Sequence, residues 1–278
     1  MKNLITRTIT GILYVGLLCG CILAEDRFFL YTLCLIFTLL GTHEYVRLYK
    51  NRNSRPLYLG TVLLAFISFN LLAYPVLFIK DLSWHTFIPS FVAVFIIIDS
   101  LFFMELFRKQ SRPFSNIALS ILPLFWIVLP LAMIAAFPEK KIILLLFITI
   151  WIYDTFAYVT GSLFGKHRLL KRVSPKKSWE GFILSTILTL VFAAFINQCP
   201  YFSSLEISTL NWMVFCFIII ILGTVGDLAE SLLKRKFEVK DSGKILPGHG
   251  GVLDRLDSVL FAAPLALLYM LYILKYCL

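Results

Sequence analysis

Apolar blocks of about 20 residues follow one another along this chain, separated by short polar segments rich in Lys and Arg. As a helix, a block of that length crosses a hydrocarbon core roughly 30 Å thick. An open sheet in the same place would leave backbone groups unpaired in lipid. The apolar blocks predict nine helices, at approximately Ile9–Ala24, Phe28–Leu48, Leu57–Ile79, Thr86–Leu106, Ile117–Phe137, Ile142–Phe164, Phe182–Cys199, Asn211–Val225 and Leu256–Tyr276. The third is interrupted near Pro75, and the eighth is short. The expected fold class is an all-α polytopic integral membrane protein.

Composition agrees with the pattern. Of 278 residues, 59% are hydrophobic and 15% charged, where a soluble domain carries about 25% charged residues. The net charge of +10 is unevenly placed. With the N-terminus cytoplasmic, the opposite side keeps Arg27, Lys80, Lys140, Lys141 and Lys275, and the rest of the 26 Lys and Arg fall in cytoplasmic segments. Cytoplasmic loops carry such an excess, and an eight-helix count would scramble the alternation. The expected topology is multi-pass in the cell inner (cytoplasmic) membrane, N-terminus in and C-terminus on the opposite side, with a membrane partner and no nucleic acid.

Lys2 and Arg7 followed by an apolar run to Cys21 resemble a lipoprotein signal peptide. Cys19 is out of place in such a signal and a helical block follows at once, so a retained first helix is expected. The six cysteines lie scattered with no C-x-x-C pair, which argues for core thiols and against a zinc site or disulfide framework. The four histidines form no cluster in sequence. The short basic loops Arg47–Arg55 and Arg108–Arg112 need no role beyond orientation.

One stretch breaks the rules the apolar blocks obey. GDLAESLLKRKFEVKDSGKILPGHGGVLDRLD, from Gly226 to Asp257, holds the basic residues Lys234, Arg235, Lys236, Lys240, Lys244 and Arg255 and the glycines Gly243, Gly248, Gly250 and Gly251. Asp227 and Glu230 stand in front, Asp254 and Asp257 behind. Cations meet phosphate charge, glycines let backbone N–H groups come close, and carboxylate oxygens hold a hard divalent ion. If the eighth helix continues past Gly226, then Asp227, Glu230, Ser231 and Lys234 share a face. If the ninth begins just before Asp254, Asp254 and Asp257 do as well. Hard oxygen donors without a Cys or His cluster suit Mg²⁺ or Mn²⁺ better than zinc. Ordinary helix-end salt bridging would explain the charges but not the clustered glycines of PGHGG.

A second stretch, FGKHRLLKRVSPKKSWEG from Phe164 to Gly181, crowds six Lys/Arg beside Ser174-Pro175, Trp179 and Glu180. Pro175 ends any helix arriving from Leu169, and a new helix starting near Ser178 would place Glu180 in its first turn. Lys176, Lys177 and that helix N-terminus make an anion site; the same composition equally suits an anchor for anionic lipid. Within the preceding apolar block stands Asp154, on one face with Tyr158, Gly161 and Gly165, where the glycines allow close helix contact. A charge at the bilayer centre costs about 2.5–3.5 kcal/mol, so its default reading is functional. The counter-reading is partial hydration, since Lys166 lies about 18 Å away along a continuous helix. Asp99 carries the same argument with no accompanying loop motif.

These residues resemble a known family. Ser231, Lys234-Arg235, Lys240-Asp241, Gly243, Pro247, His249-Gly250-Gly251, Asp254-Arg255 and Asp257 stand at the spacing of the phosphatidate cytidylyltransferase (CDP-diacylglycerol synthase) signature. SPKKSWEG at Ser174–Gly181 is similar to the family's second conserved stretch, with Ser178 where Thr is usual, and YDTFAYVTGSLFGKH matches the run ahead of it. The resemblance covers most of the C-terminal half. It implies transfer of CMP from CTP to phosphatidate, giving CDP-diacylglycerol and pyrophosphate, on Mg²⁺ with room for a second metal ion. It divides the chain into N-terminal transmembrane helices over 1–140 and a catalytic region over 141–278, with cytoplasmic loops 164–181 and 226–257.

By match to the family, Asp227, Asp254 and Asp257 hold metal, and Lys234, Arg235, Lys240 and Arg255 serve phosphate oxygens. Ser174, Lys176, Lys177 and Glu180 belong to the nucleotide site, Asp154 lines the cavity under the lipid headgroup, and His249 shapes the site. The resemblance also implies a homodimer. A CDP-alcohol phosphotransferase fits less well, because its motif opens D-G-x-x-A-R and closes on two Asp four residues apart, whereas here Leu228 follows Asp227, and Asp254 and Asp257 are three apart. A transporter would suit Asp99 and Asp154, but neither loop has the second copy that transporter repeats require. A passive structural membrane protein leaves PGHGGVLDRLD without a reason.

Overall fold

The computed structural model describes residues 2–49, 53–78, 84–245, 248 and 250–276. Among them a helix overlaps every predicted block, and seven helical spans are long and apolar enough to cross a membrane. The protein is an all-α polytopic membrane protein, with one small β-hairpin as its exception. Its chain divides into two compact units, Met1–Pro138 with Asp241–Arg255, and Glu139–Lys240 with Leu256–Leu278.

The first unit contains α1 (Lys2–Leu23), α2 (Phe28–Leu48), α3 (Tyr58–Phe78), α4 (Trp84–Phe107), α5 (Pro113–Pro123) and α6 (Leu129–Ala136). α3 packs against α2, α4 and α6, around a core that includes Tyr45, Leu64, Phe69, Leu131 and Ile134. The block expected as one helix, Ile117–Phe137, is α5 and α6 joined through a π turn at Leu124–Val128. Pro130 explains it. Its ring crowds the carbonyl four residues back and it offers no N–H, so the ladder widens just ahead of it. Pro75, expected to interrupt α3, is accommodated three residues before the helix ends.

One basic loop does more than set orientation. Arg108 pairs with buried Glu105 at 3.1 Å and donates to the Arg55 carbonyl at 2.9 Å. Asn116, fully buried, donates to Glu105 at 2.5 Å and accepts from the Arg55 N–H at 2.7 Å. The chain entering α3 is thereby tied to the ends of α4 and α5. In the Arg47–Arg55 loop, Lys50 and Arg52 lie outside the described residues.

The second unit contains α7 (Lys140–Phe164), β1 (Arg168–Leu170), β2 (Ser174–Ser178), α8 (Trp179–Ala194), α9 (Pro200–Ser203), α10 (Thr209–Phe237) and α11 (Leu253–Tyr276) from Leu256 onward. α7 and α8 pack most closely. They meet at Gly161 and Gly181, where a methyl on Gly181 would stand 2.9 Å from the Gly161 Cα. Trp212, Phe215, Leu146 and Met270 are fully buried. The Trp212 indole donates to Asn197 at 2.8 Å, and Asn197 holds the Ile207 carbonyl at 2.9 Å.

The helix expected as Asn211–Val225 is much longer, with 29 residues ending at Phe237. At 1.5 Å per residue that is about 44 Å, more than a roughly 30 Å hydrocarbon core. The polar run GDLAESLLKRKF is thus helix. It stops at Glu238 in the left-handed region (φ 56°), where the Glu238 and Val239 N–H groups bond back to Arg235 and Lys234, a Schellman closure. Lys234, Arg235 and Lys236 in the last turn complement the helix dipole. Among the described residues five cysteines are free thiols; Cys34 and Cys216 are buried as expected of core thiols, but Cys199 is exposed.

Replacing Asn116 by Ala leaves Glu105 and the Arg55 N–H short of a partner. Asn116→Ala is expected to cost about 1–3 kcal/mol and to lower the melting temperature in detergent, while exposed Arg112→Ala leaves it unchanged.

Candidate functional site

The hairpin over α8 organises the site in the second unit. β1 and β2 are antiparallel, and the Trp179 N–H closes onto the His167 carbonyl at 2.9 Å. Ser178 N-caps α8 by accepting from the Gly181 N–H at 3.2 Å. Glu180, in the first turn as the sequence predicts, reaches back to the foot of the hairpin. It accepts the Lys166 and His167 N–H groups at 3.1 Å and pairs with the His167 ring at 2.6 Å. No helix arrives at Ser174-Pro175; the segment from Arg168 to Leu170 is a strand instead.

Beneath the hairpin is a cavity of about 220 Å³, lined among others by Asp154, Tyr158, Lys176, Lys177, Thr224 and Asp227. Four residues marked out by sequence, Asp154, Lys176, Lys177 and Asp227, therefore line one cavity. Lys177 pairs with Asp227 at 2.5 Å, linking β2 to α10, and both side chains are about 30% exposed. Asp227 also accepts from Ser231, one turn on, at 3.3 Å. Tyr153 and Thr224, which sequence reasoning did not single out, join their hydroxyls across α7 and α10 at 2.9 Å. Neither has a local signal, since a Tyr or Thr inside an apolar helix is ordinary packing until a partner faces it.

α11 brings Asp257 beside Asp227. Gly226 permits this, because any side chain there would strike the Asp257 carbonyl. The Asp257 carboxylate feels the Asp227 charge, interacts with Glu230 and Lys234, and accepts the Ser258 N–H at 2.7 Å. Glu230, 1% exposed, is bound to Lys234 at 2.8 Å. The expected i, i+4 stacking is present, and Lys234 neutralises a buried carboxylate. Arg235 donates to the Val173 carbonyl at 3.4 Å, under the hairpin turn. Ser174 is half-buried at the start of β2, and Lys240 is exposed beyond α10.

In the first unit, Asp254 folds its own loop: one carboxylate oxygen accepts from the Ser242 N–H, the Ser242 hydroxyl and the Gly251 N–H at 2.8, 3.0 and 2.8 Å. Arg255 is exposed. His249 and Pro247 lie outside the described residues. Asp99 lies on α4, exposed. Glu44 was missed, although the rule that singles out Asp154, a carboxylate within an apolar block, applies to it equally.

No group of three or more His, Cys, Asp or Glu among the described residues is arranged to hold a metal ion. Two adjacent carboxylates of like charge, Asp227 and Asp257, nevertheless fit a Mg²⁺ that takes one or two carboxylates and completes its shell with phosphate and water.

Residues 5–273 match the sequence model of the cytidylyltransferase family. The chain belongs to that family. It is 32% identical over 205 residues to the phosphatidate cytidylyltransferase of Rickettsia bellii, an alignment covering 68% of this chain and 88% of the relative. It is 45% identical over 127 residues to that of Staphylococcus saprophyticus and 42% over 126 residues to that of Thermotoga maritima, with 44% of this chain covered in each. In these two matches the chain spans under half of the relative's length, 46%.

For this cytidylyltransferase-family chain, Glu180 is what keeps the cavity roof in place. Glu180→Ala is expected to raise the rate of trypsin cleavage after Lys171 or Arg172 severalfold over wild type, measured by limited proteolysis in detergent, with Glu206→Ala as an unaffected control.

Proposed function

We propose that the chain is a phosphatidate cytidylyltransferase, moving CMP from CTP to phosphatidate and releasing pyrophosphate. The observation that carries this reading is the cavity lined by Asp154, Lys176, Lys177 and Asp227, with Asp257 beside Asp227. An oxygen of the phosphatidate phosphate attacks the α-phosphorus of CTP, the bond to the β-phosphate breaks, and its electron pair leaves with pyrophosphate. A phosphate monoester with a second pKa near 6 is largely ionised at neutral pH, so no general base is needed. The reaction needs charge neutralisation and in-line placement of two polyanions.

Lys176 and Lys177 meet that need from the hairpin. Lys177 is placed to exchange its carboxylate partner for a phosphate oxygen when nucleotide enters. Asp227 and Asp257 would hold Mg²⁺, which when bound neutralises phosphate oxygens and eases departure of pyrophosphate. Asp154 lines the cavity on the side of the apolar helices, suiting the lipid headgroup. Lys234 and Arg235 act by holding Glu230 and the hairpin turn, while Lys240 and Arg255 serve phosphate oxygens as the family resemblance implies. Ser174, Glu180 and His249 complete the nucleotide side as shaping residues, and Asp254 contributes through its loop.

The proposed topology is nine crossings of the inner membrane with the N-terminus and the cavity cytoplasmic and the C-terminus outside, supported by the distribution of Lys and Arg. The family resemblance adds a homodimer. A cysteine placed at Lys171 should react with an impermeant maleimide in inside-out vesicles and not in right-side-out ones; the reverse pattern inverts the topology.

Purified protein given CTP, phosphatidate and Mg²⁺ should release pyrophosphate only with both substrates, and EDTA should stop it. Asp227→Asn and Asp257→Asn should each lower kcat/KM at least about 100-fold, a loss of roughly 3 kcal/mol of transition-state stabilisation. Folded protein that binds CTP and releases no pyrophosphate would overturn the assignment.

A further inference from the structure

The mechanism above leaves the deeply buried carboxylate of Glu44 without a task. Glu44, near the end of α2, is 2% exposed, and its three hydrogen bonds run to a segment about 200 residues later. It accepts the Val252 N–H at 3.0 Å, the Leu253 N–H at 3.0 Å and the Ser242 hydroxyl at 3.2 Å. The first two donors open α11, where helix N–H groups have no partner within the helix and the dipole favours negative charge. The third is shared: the Ser242 hydroxyl also lies 3.0 Å from Asp254. Two carboxylates thus stand around one hydroxyl, an arrangement tolerable because four backbone N–H groups, of Ser242, Gly251, Val252 and Leu253, point at them.

The glycines of the loop answer to the same carboxylate. A methyl on Gly243 would collide with the Glu44 carboxylate, and one on Gly251 would collide with it and with the Ser242 hydroxyl. Part of the glycine cluster that sequence assigns to phosphate approach is therefore required by Glu44. A helix cap alone would need one short acceptor such as Ser or Asn. Here a charged side chain from a remote helix is used, and it bonds to the two residues before Asp254 and to the serine that orients it.

We infer that Glu44 is a positioning residue for the proposed transfer. It sets the path of residues 241–245 and 250–255 and the direction of Asp254, and through them the grip on the nucleotide polyphosphate. This rests on the cytidylyltransferase reading above.

The test uses full-length protein in detergent with Glu44→Gln, Glu44→Asp and Ser242→Ala. Glutamine keeps the shape but turns an amide donor toward donors. The expected result is faster hydrogen exchange at the Val252 and Leu253 amides with Leu145 unchanged, and a KM for CTP raised about 10-fold while kcat stays within about threefold. Glu44→Asp, which keeps charge but is shorter, should fall between. Partial unfolding would lower the maximal rate and leave KM alone, so the split separates positioning from mere stability. Should Glu44→Gln fail to fold, Ser242→Ala retains both helix-cap bonds and is read by the same KM. Faster exchange with an unchanged KM makes Glu44 a structural cap and overturns the inference, as does no change in either. Wild-type protein that releases no pyrophosphate overturns the transferase reading and this inference with it, whereas variants with a raised KM for CTP beside an active wild type uphold both.

Discussion

A backbone N–H removed from water must find an acceptor or cost on the order of 1–3 kcal/mol. At several places where this chain leaves regular helix, carboxylates accept backbone N–H groups. Glu44 takes the N–H groups that open α11, and Asp254 takes those of Ser242 and Gly251. Glu180 takes Lys166 and His167 at the foot of the hairpin, and Glu139 takes Lys141 at the start of α7. Each acceptor is anionic, so each bond is charge-assisted and about twice as strong as a neutral one. The hairpin is thereby tied to α8, and the residues that open α11 are tied to α2.

The cavity in the second unit follows a second use of the same groups. Lys177 and Asp227 neutralise one another across β2 and α10, and Lys234 neutralises Glu230 in the turn that follows. Such pairs keep a cluster of acids and bases compatible with apolar helices, since an unpaired charge there would be costly. They are also exchangeable. A polyphosphate with its cation offers each partner a substitute of the right sign, so the arrangement that stabilises the protein alone is complementary to the substrate proposed for it.

Much of this was legible in the sequence because membranes impose simple rules. The apolar blocks located the helices, and α2 falls where its block put it. The signature spacing over Ser231–Asp257 and SPKKSWEG pointed to the family and to Asp154, Lys176, Lys177 and Asp227 as one site. The errors have local causes. α10 was cut at Val225 because hydropathy falls there, although helix propensity and a Schellman closure carry it to Phe237. The stretch before Pro175, where sequence reasoning required only that any helix end, is a strand at Arg168–Leu170.

What the sequence by itself determined is the all-α polytopic membrane class, the family, and the residue types a phosphate-transfer site requires. These depend on composition, period and spacing, all of which are local. Only the tertiary structure decided which carboxylate performs which task. Glu44 and Asp254 are more than 200 positions apart, and no period or spacing relates them. Glu180 and Asp254 hold backbone, Asp227 faces Lys177, and Asp257 meets Asp227 because Gly226 lets α11 approach. A carboxylate looks the same in sequence whether it faces a peptide N–H, an ammonium group or another carboxylate, and its neighbours are set by how the helices pack.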